Sequence, residues 1–259
     1  MVSVRIAIFP TCVVDAVSPA AGVAAVRVLR RLDHVVTVPE GTTCCGQPAW
    51  NAGQAEAAAK VARATLDSLS KADADVVVVP AGSCATMIRV FWPELFEVVS
   101  DAESRARAEA LAPRVKEFSE FAAPQIRSGQ RKGKDQARFA GQNEEGGGAT
   151  VVYHHSCHML RELGIEAQPE AMLDAVGVER VESAARGRCC GFGGLFSVKL
   201  PEVSTAMADD VLDAAVDAGA ATVVGCDASC LMHLEGRAAR RGLPLAFKHL
   251  AEVVEEARS

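Results

Sequence analysis

The sequence predicts an α/β fold built twice: two cysteine-rich domains related by a pseudo-twofold, each a parallel sheet flanked by helices. Three observations carry that expectation. Short β-branched runs alternate with alanine-rich stretches of helical period, the pattern of βαβ units. One cysteine spacing occurs twice: 31 residues separate Cys12 from the adjacent pair Cys44-Cys45, and 31 separate Cys157 from Cys189-Cys190. Each pair runs into a glycine, Gly46 or Gly191, and each block closes on one more cysteine, Cys84 or Cys230.

The elements follow in order. Val4 to Phe9 reads as a buried strand leading to Cys12, and 18–32 as a helix. His34 to Val38 is a second strand before Cys44-Cys45, followed by a helix over 53–71. Asp75 to Pro80 is a third strand leading to Cys84, and 101–122, rich in Ala, Glu and Arg, reads as one helix. The second half repeats the plan. Thr150 to Tyr153 precedes Cys157, a strand around Val178 to Val181 precedes Cys189-Cys190, and Ala220 to Gly225 precedes Cys230, with helices at 201–218 and 231–241. The first domain is expected over 1–127 and the second over 149–259. Between them, 128–148 has almost no apolar residues and ends in three glycines. Such a composition cannot bury enough surface to offset its ordering entropy, so it reads as a flexible linker whose basic patch (Arg131, Lys132, Lys134) is solvated.

In every case a cysteine sits in the turn after a predicted strand. Right-handed βαβ connections put these turns on one edge of a sheet, the carboxyl edge, where open α/β sheets bind ligands. Residues some 70 positions apart therefore converge, and four thiols meet without a local motif.

Composition narrows the function. The 259 residues allow two domains, and 49% hydrophobic content is ample for a core in each. A net charge of −6 gives no footprint for nucleic acid. No stretch of about 18 apolar residues suggests a membrane span. The apolar N-terminus is interrupted by Arg5 and ended by Pro10, too short for a secretory signal. The expected location is cytoplasmic, where thiols stay reduced and cysteine clusters serve metals or catalysis. An odd total of nine cysteines also fits a disulfide framework poorly.

Several chemistries compete for the cysteines. Buried free thiol is a common fate and suits Cys226, in an apolar strand end, but does not explain a duplicated constellation. Structural zinc wants four ligands in a tetrahedron, usually from C-x-x-C knuckles, and none occurs here. Adjacent cysteines are better placed to reach different iron atoms of a multinuclear cluster. The preferred expectation is one iron–sulfur cluster per half, held by Cys12, Cys44, Cys45 and Cys84 and by Cys157, Cys189, Cys190 and Cys230. Four thiolates suffice for a conventional cluster such as 4Fe–4S, and zinc in one or both sites stays open. The glycines Gly46, Gly191, Gly193 and Gly194 suit tight turns whose amides approach sulfur.

The blocks Cys44-Cys45-Gly46-Gln47-Pro48-Ala49, Cys189-Cys190-Gly191-Phe192-Gly193-Gly194 and Pro80-Ala81-Gly82-Ser83-Cys84 resemble the duplicated cysteine-rich CCG domain. That family includes the cysteine-rich component of heterodisulfide reductase, the iron–sulfur subunits of glycolate oxidase and anaerobic glycerol-3-phosphate dehydrogenase, and lactate-utilisation protein A. With no ferredoxin-like domain attached, the chain looks most like the last. The resemblance implies a cytoplasmic iron–sulfur electron-transfer component of a complex that oxidises L-lactate to pyruvate and supports growth on lactate. Its implied partners are a ferredoxin-type iron–sulfur subunit and a third small subunit. The alternatives are a disulfide- or quinone-linked reductase component of the heterodisulfide reductase type, or a zinc-stapled assembly scaffold. One departure bears on them: the heterodisulfide reductase component closes its repeat with C-x-x-C, whereas Ala81 and Asp227 stand at the first cysteine of that pair. Asp227 is either a weak oxygen ligand or a cap for the helix that follows.

His154, His155 and His158 crowd around Cys157. Histidine can replace cysteine on an iron or tune a cluster by hydrogen bonding. The competing reading is a polar strand end and first helical turn, favoured for His155 and His158 and evenly balanced for His154. Lys199, just beyond the Cys189-Cys190 loop, could neutralise cluster charge or a substrate carboxylate, but is read first as a solvated lysine. Neither first strand is followed by a Gly-rich dinucleotide fingerprint, so no tightly bound nicotinamide or flavin is indicated.

Overall fold

The computed structural model describes residues 3–126 and 150–258; the expected linker, with its basic patch, lies outside the described residues. In the first half β1 (Arg5–Ile8) leads to α1 (Cys12–Val17) and α2 (Pro19–Arg31), then β2 (Val35–Thr37). After a cysteine-bearing loop come α3 (Gln47–Asn51), α4 (Ala55–Lys71) and β3 (Val76–Val79). Next, α5 (Gly82–Thr86) widens into a π-helical turn (Met87–Phe91) before α6 (Trp92–Val98) and α7 (Ala102–Leu111). The half ends with β4 (Val115–Glu117) and α8 (Phe118–Ala122).

The second half runs β5 (Val151–His154), α9 (Cys157–Leu163), α10 (Ala167–Ala175), α11 (Leu195–Lys199) and α12 (Pro201–Asp217). It closes with β6 (Thr222–Gly225), α13 (Ala228–Arg241), β7 (Ala246–His249) and α14 (Leu250–Ala257).

Both sheets are parallel. The first has the order β2-β1-β3-β4 and the second β5-β6-β7. The expected α/β architecture is thus the one adopted. Its strands are short and β-branched because helices cover both faces: Ile6, Ala7 and Ile8 are all buried, as are Val77, Val78 and Val79. The helices turn alanine and leucine stripes inward, as with Ala58, Ala62, Leu66 and Leu69 of α4. Proline at the first position starts α2 and α12, where its missing N–H costs nothing.

Two expectations need correction. The helix expected over 101–122 is broken: Pro113 interrupts it, a single 3-10 turn follows, and Val115–Glu117 becomes the outer strand β4 beside β3. The strand expected around 178–181 is reduced to one bridge, Val151 with Arg180, flanked by Val151 N–H to Glu179 O at 2.9 Å and Val181 N–H to Val151 O at 2.8 Å. That bridge occupies the place beside β5 that β2 occupies beside β1, so the duplication persists where pairing has faded.

The halves pack through matching helix pairs. Helix α2 packs on α14 as α10 does on α8, and α1 on α13 as α9 does on α5. One buried cluster therefore runs through both halves, with Ile8, Val78 and Phe118 from the first and Tyr153, Val224 and Leu250 from the second. His249 sits at this joint. Its Nδ1 accepts the Ala251 N–H at 3.1 Å, so its Nε2 carries the proton toward Pro80 O at 3.1 Å and Cys226 O at 3.2 Å. Pro80 and Cys226 occupy equivalent positions four residues before Cys84 and Cys230.

Candidate metal centre

Each first strand delivers a cysteine directly. After β1, Thr11 turns the chain with φ 67° so that Cys12 begins α1. That conformation is strained for a β-branched residue. In the second half Ser156 precedes Cys157 with an unstrained φ of −59°. The third strands β3 and β6 deliver Cys84 and Cys230 inside α5 and α13.

The adjacent pairs are held by their surroundings. Thr65 on α4 donates its hydroxyl to Cys44 O at 2.9 Å, and Trp92 on α6 donates its indole N–H to Cys45 O at 2.8 Å. Ser204 on α12 donates to Gly191 O at 2.8 Å. Gly46 and Gly191 have φ of 88° and 86°, the left-handed region that glycine enters freely. A Cβ on Gly46 would also stand 2.8 Å from Ala58 O. This turn aims the glycine N–H back at the first sulfur of each pair, 3.4 Å to Cys44 Sγ and 3.4 Å to Cys189 Sγ.

The sulfurs converge. Cys12 Sγ lies 3.4 Å from Cys44 Sγ, Cys45 Sγ 3.3 Å from Cys84 Sγ, and Cys190 Sγ 3.0 Å from Cys230 Sγ. All nine cysteines are free thiols. Hydrogen bonds from Cys12, Cys45 and the Gly46 amide pull the Cys44 thiol down to about 3. Those from Cys157, Cys190 and the Gly191 amide pull Cys189 to about 2. The donors respond in the opposite direction: Cys12 and Cys157 rise through donation to Cys44 and Cys189, reinforced by burial. Four thiols this close cannot all ionise against one another unless a cation shares their charge, which is the condition under which such a set takes up metal.

Both quartets open on one cleft of roughly 760 Å³ that includes open solvent. Seven of the eight predicted cysteines line it, all but Cys44, with Thr11, Gln47, Asn51, Ser83, Ser156, His158, Phe192 and Asp227. Its described lining contains neither Lys nor Arg. Asp227 does not cap its own helix α13. It crosses to the first half, where its carboxylate accepts the Ser83 hydroxyl at 2.5 Å and the Ser83 N–H at 3.0 Å. Cys226 is fully buried in the shared core.

The three histidines separate. His155 turns toward Glu170 at 3.2 Å and meets the Tyr153 ring edge-on. His158 Nδ1 lies 3.9 Å from Cys157 Sγ and its ring meets Phe91 of the first half. His154 is 6% exposed, its Nε2 has no hydrogen-bond partner, and burial pushes its pKa down to about 4. One of its ring nitrogens and the sulfurs of Cys190 and Cys230 all lie within 4.8 Å of one another. Lys199 is exposed on α11. An unpartnered imidazole beside soft thiols, with amides aimed at sulfur, is a donor set that fits a thiophilic metal or an iron–sulfur cluster.

Comparison with known proteins agrees with this geometry. Residues 6–89 and 151–235 each match the CCG cysteine-rich domain. Lactate utilization protein A of Exiguobacterium sp. strain AT1b is 40% identical over 253 residues, covering 97% of each chain. The chain belongs to the lactate utilization protein A family. Two further members are similar across their length. Lactate utilization protein A of Macrococcus caseolyticus is 37% identical over 96% of each chain, and lactate utilization protein A 1 of Bacillus mycoides is 37% identical over 98% of each. Among solved structures, an aspartate racemase homologue from Pyrococcus horikoshii OT3 aligns over 98% of this chain and 99% of its own. Its 9% identity and TM-score of 0.32 carry no argument. No described helix of this family member is long and apolar enough to cross a membrane.

Proposed function

We propose that the chain holds one iron–sulfur cluster in each half and passes electrons within a complex that oxidises L-lactate to pyruvate. Cys12, Cys44, Cys45 and Cys84 would hold the first cluster and Cys157, Cys189, Cys190 and Cys230 the second. The observation that carries this reading is the opening of both quartets on one cleft. A bound cluster supplies one-electron redox chemistry. The protein's part is to place the two sites side by side. It keeps Cys45, Cys84, Cys190 and Cys230 largely buried at the base of the cleft, and aims the Gly46 and Gly191 amides at thiolate charge.

The same cleft favours electron relay over lactate binding. A carboxylate substrate is ordinarily met by a guanidinium or ammonium, and the described lining offers neither. Lactate would be met on another subunit, and a ferredoxin-type iron–sulfur protein and a small third protein are the partners this reading requires. The membership of the lactate utilization protein A family supports the pathway. Disulfide cleavage of the heterodisulfide reductase type is disfavoured because Ala81 has no donor atom and Asp227 is engaged with Ser83.

Anaerobic purification tests the proposal. A brown protein with iron, acid-labile sulfide and a reducible visible band is expected; a colourless protein with stoichiometric zinc would overturn it in favour of a stapled scaffold. Deleting the gene should abolish growth on L-lactate, and normal growth without a second copy of the gene would refute the pathway.

A further inference from the structure

Among the places where the duplication is broken, one puts a nitrogen donor beside the sulfurs. Aligning Cys12 with Cys157 pairs Phe9, the residue just after β1, with His154, the last residue of β5. Phe9 is 1% exposed and packs in the apolar cluster that contains Cys45 and Cys84. His154 takes the corresponding place beside Cys190 and Cys230, where an apolar ring would satisfy packing equally well. A buried imidazole with an unpartnered Nε2 is poorly explained by packing.

Building on the proposed function, we infer that the second site is a mixed one, in which His154 ligates a metal atom together with Cys190 and Cys230. Donors to one metal, at bond lengths of about 2.0–2.3 Å, stand roughly 3.5–4 Å apart. The three donor atoms already lie within 4.8 Å of one another, so a small side-chain adjustment brings them onto one atom. The first site, with Phe9, is thiolate-only. The two centres are consequently inequivalent. An imidazole ligand alters the potential of an iron–sulfur centre, so the midpoint potentials of the two sites differ.

X-ray absorption at the edge of whichever metal the anaerobically purified full-length protein carries tests this without reference to activity. Imidazole scattering is expected in the wild type, lost in His154→Phe and retained in His158→Asn, with one midpoint potential shifted in His154→Phe and the other unmoved. A thiolate-only shell in metal-loaded wild-type protein overturns the inference, as does scattering that survives His154→Phe. The wild-type spectrum decides even should that variant fail to fold. Zinc with imidazole scattering would end the electron-transfer reading yet support His154 as a ligand; an all-sulfur iron centre would do the reverse.

Discussion

Asp227, from the second half, grips Ser83 of the first through both the hydroxyl at 2.5 Å and the backbone N–H at 3.0 Å. Ser83 precedes Cys84, and Asp227 lies three residues before Cys230, so this joint fixes one quartet against the other. Asp227 is 2% exposed, and removing its carboxylate leaves the half-buried hydroxyl and N–H of Ser83 without this charged acceptor. Asp227→Ala is expected to lower stability by about 1–3 kcal/mol, and Asp227→Asn, which keeps an acceptor, by less. Urea denaturation measures both; equal midpoints for wild type and Asp227→Ala would show the joint to be inert.

The ligand sets predict separable losses. Cys45→Ser and Cys190→Ser should each remove one centre, leaving about half the iron where four thiolates serve each cluster. Iron and sulfide analysis of the two variants checks this, and full iron content in both would contradict the assignment.

Glu117, at the end of β4, predicts a pH dependence. It is fully buried; its carboxylate accepts the Ser119 N–H at 2.6 Å, the Ser119 hydroxyl and the Glu120 N–H at 3.2 Å, while Oε1 has no hydrogen-bond partner. Burial outweighs those bonds and raises its pKa to about 7. Between the ordinary 4.5 and 7 the folded state keeps this proton and the unfolded state has lost it. The contribution of this group to stability therefore falls as pH rises through that window, by about 3 kcal/mol in all. Glu117→Gln, which retains an acceptor for Ser119, should flatten this part of the profile. Identical slopes for variant and wild type between pH 5 and 7 would refute the shift.

The cysteine-pair turns predict a shared sensitivity. Gly46→Ala and Gly191→Ala each force a side chain into a left-handed turn, costing about 1–3 kcal/mol, and misdirect the amide that faces sulfur. Lower melting temperature with reduced metal content is expected for both; unchanged metal content would show that amide to be dispensable.

How far the sequence shows this much is a matter of range. The buried strands ending at Ile8, Val79, His154 and Gly225 were legible because helix-covered parallel strands must be continuous apolar runs. Strand β4 was hidden because Val115-Lys116-Glu117 is only three residues long in a charged stretch, its identity coming from pairing with β3. Strand β7 escaped for a similar reason: Phe247 and Lys248 are only half-buried. The convergence of each quartet could be read because it needs only the turn after a strand. The common cleft could not, since it depends on how α1 meets α13 and α5 meets α9. The Asp227–Ser83 bond is hidden for the same reason, its partners lying 144 residues apart, and the cap for α13 that the sequence offered is not made. The sequence left His154 evenly balanced; His155 is equally buried with ring nitrogens that make no hydrogen bond, and only the approach of a His154 ring nitrogen to Cys190 and Cys230 sets it apart.

The core that passes uninterrupted from Ile8 and Phe118 to Tyr153 and Leu250 makes the duplicated halves mutually dependent. A fragment carrying only one cysteine set would expose the inner faces of α2 and α8, or of α10 and α14, to solvent. Repetition here has produced a single cooperative folding unit, so heat or denaturant should melt both halves in one transition rather than releasing them in turn.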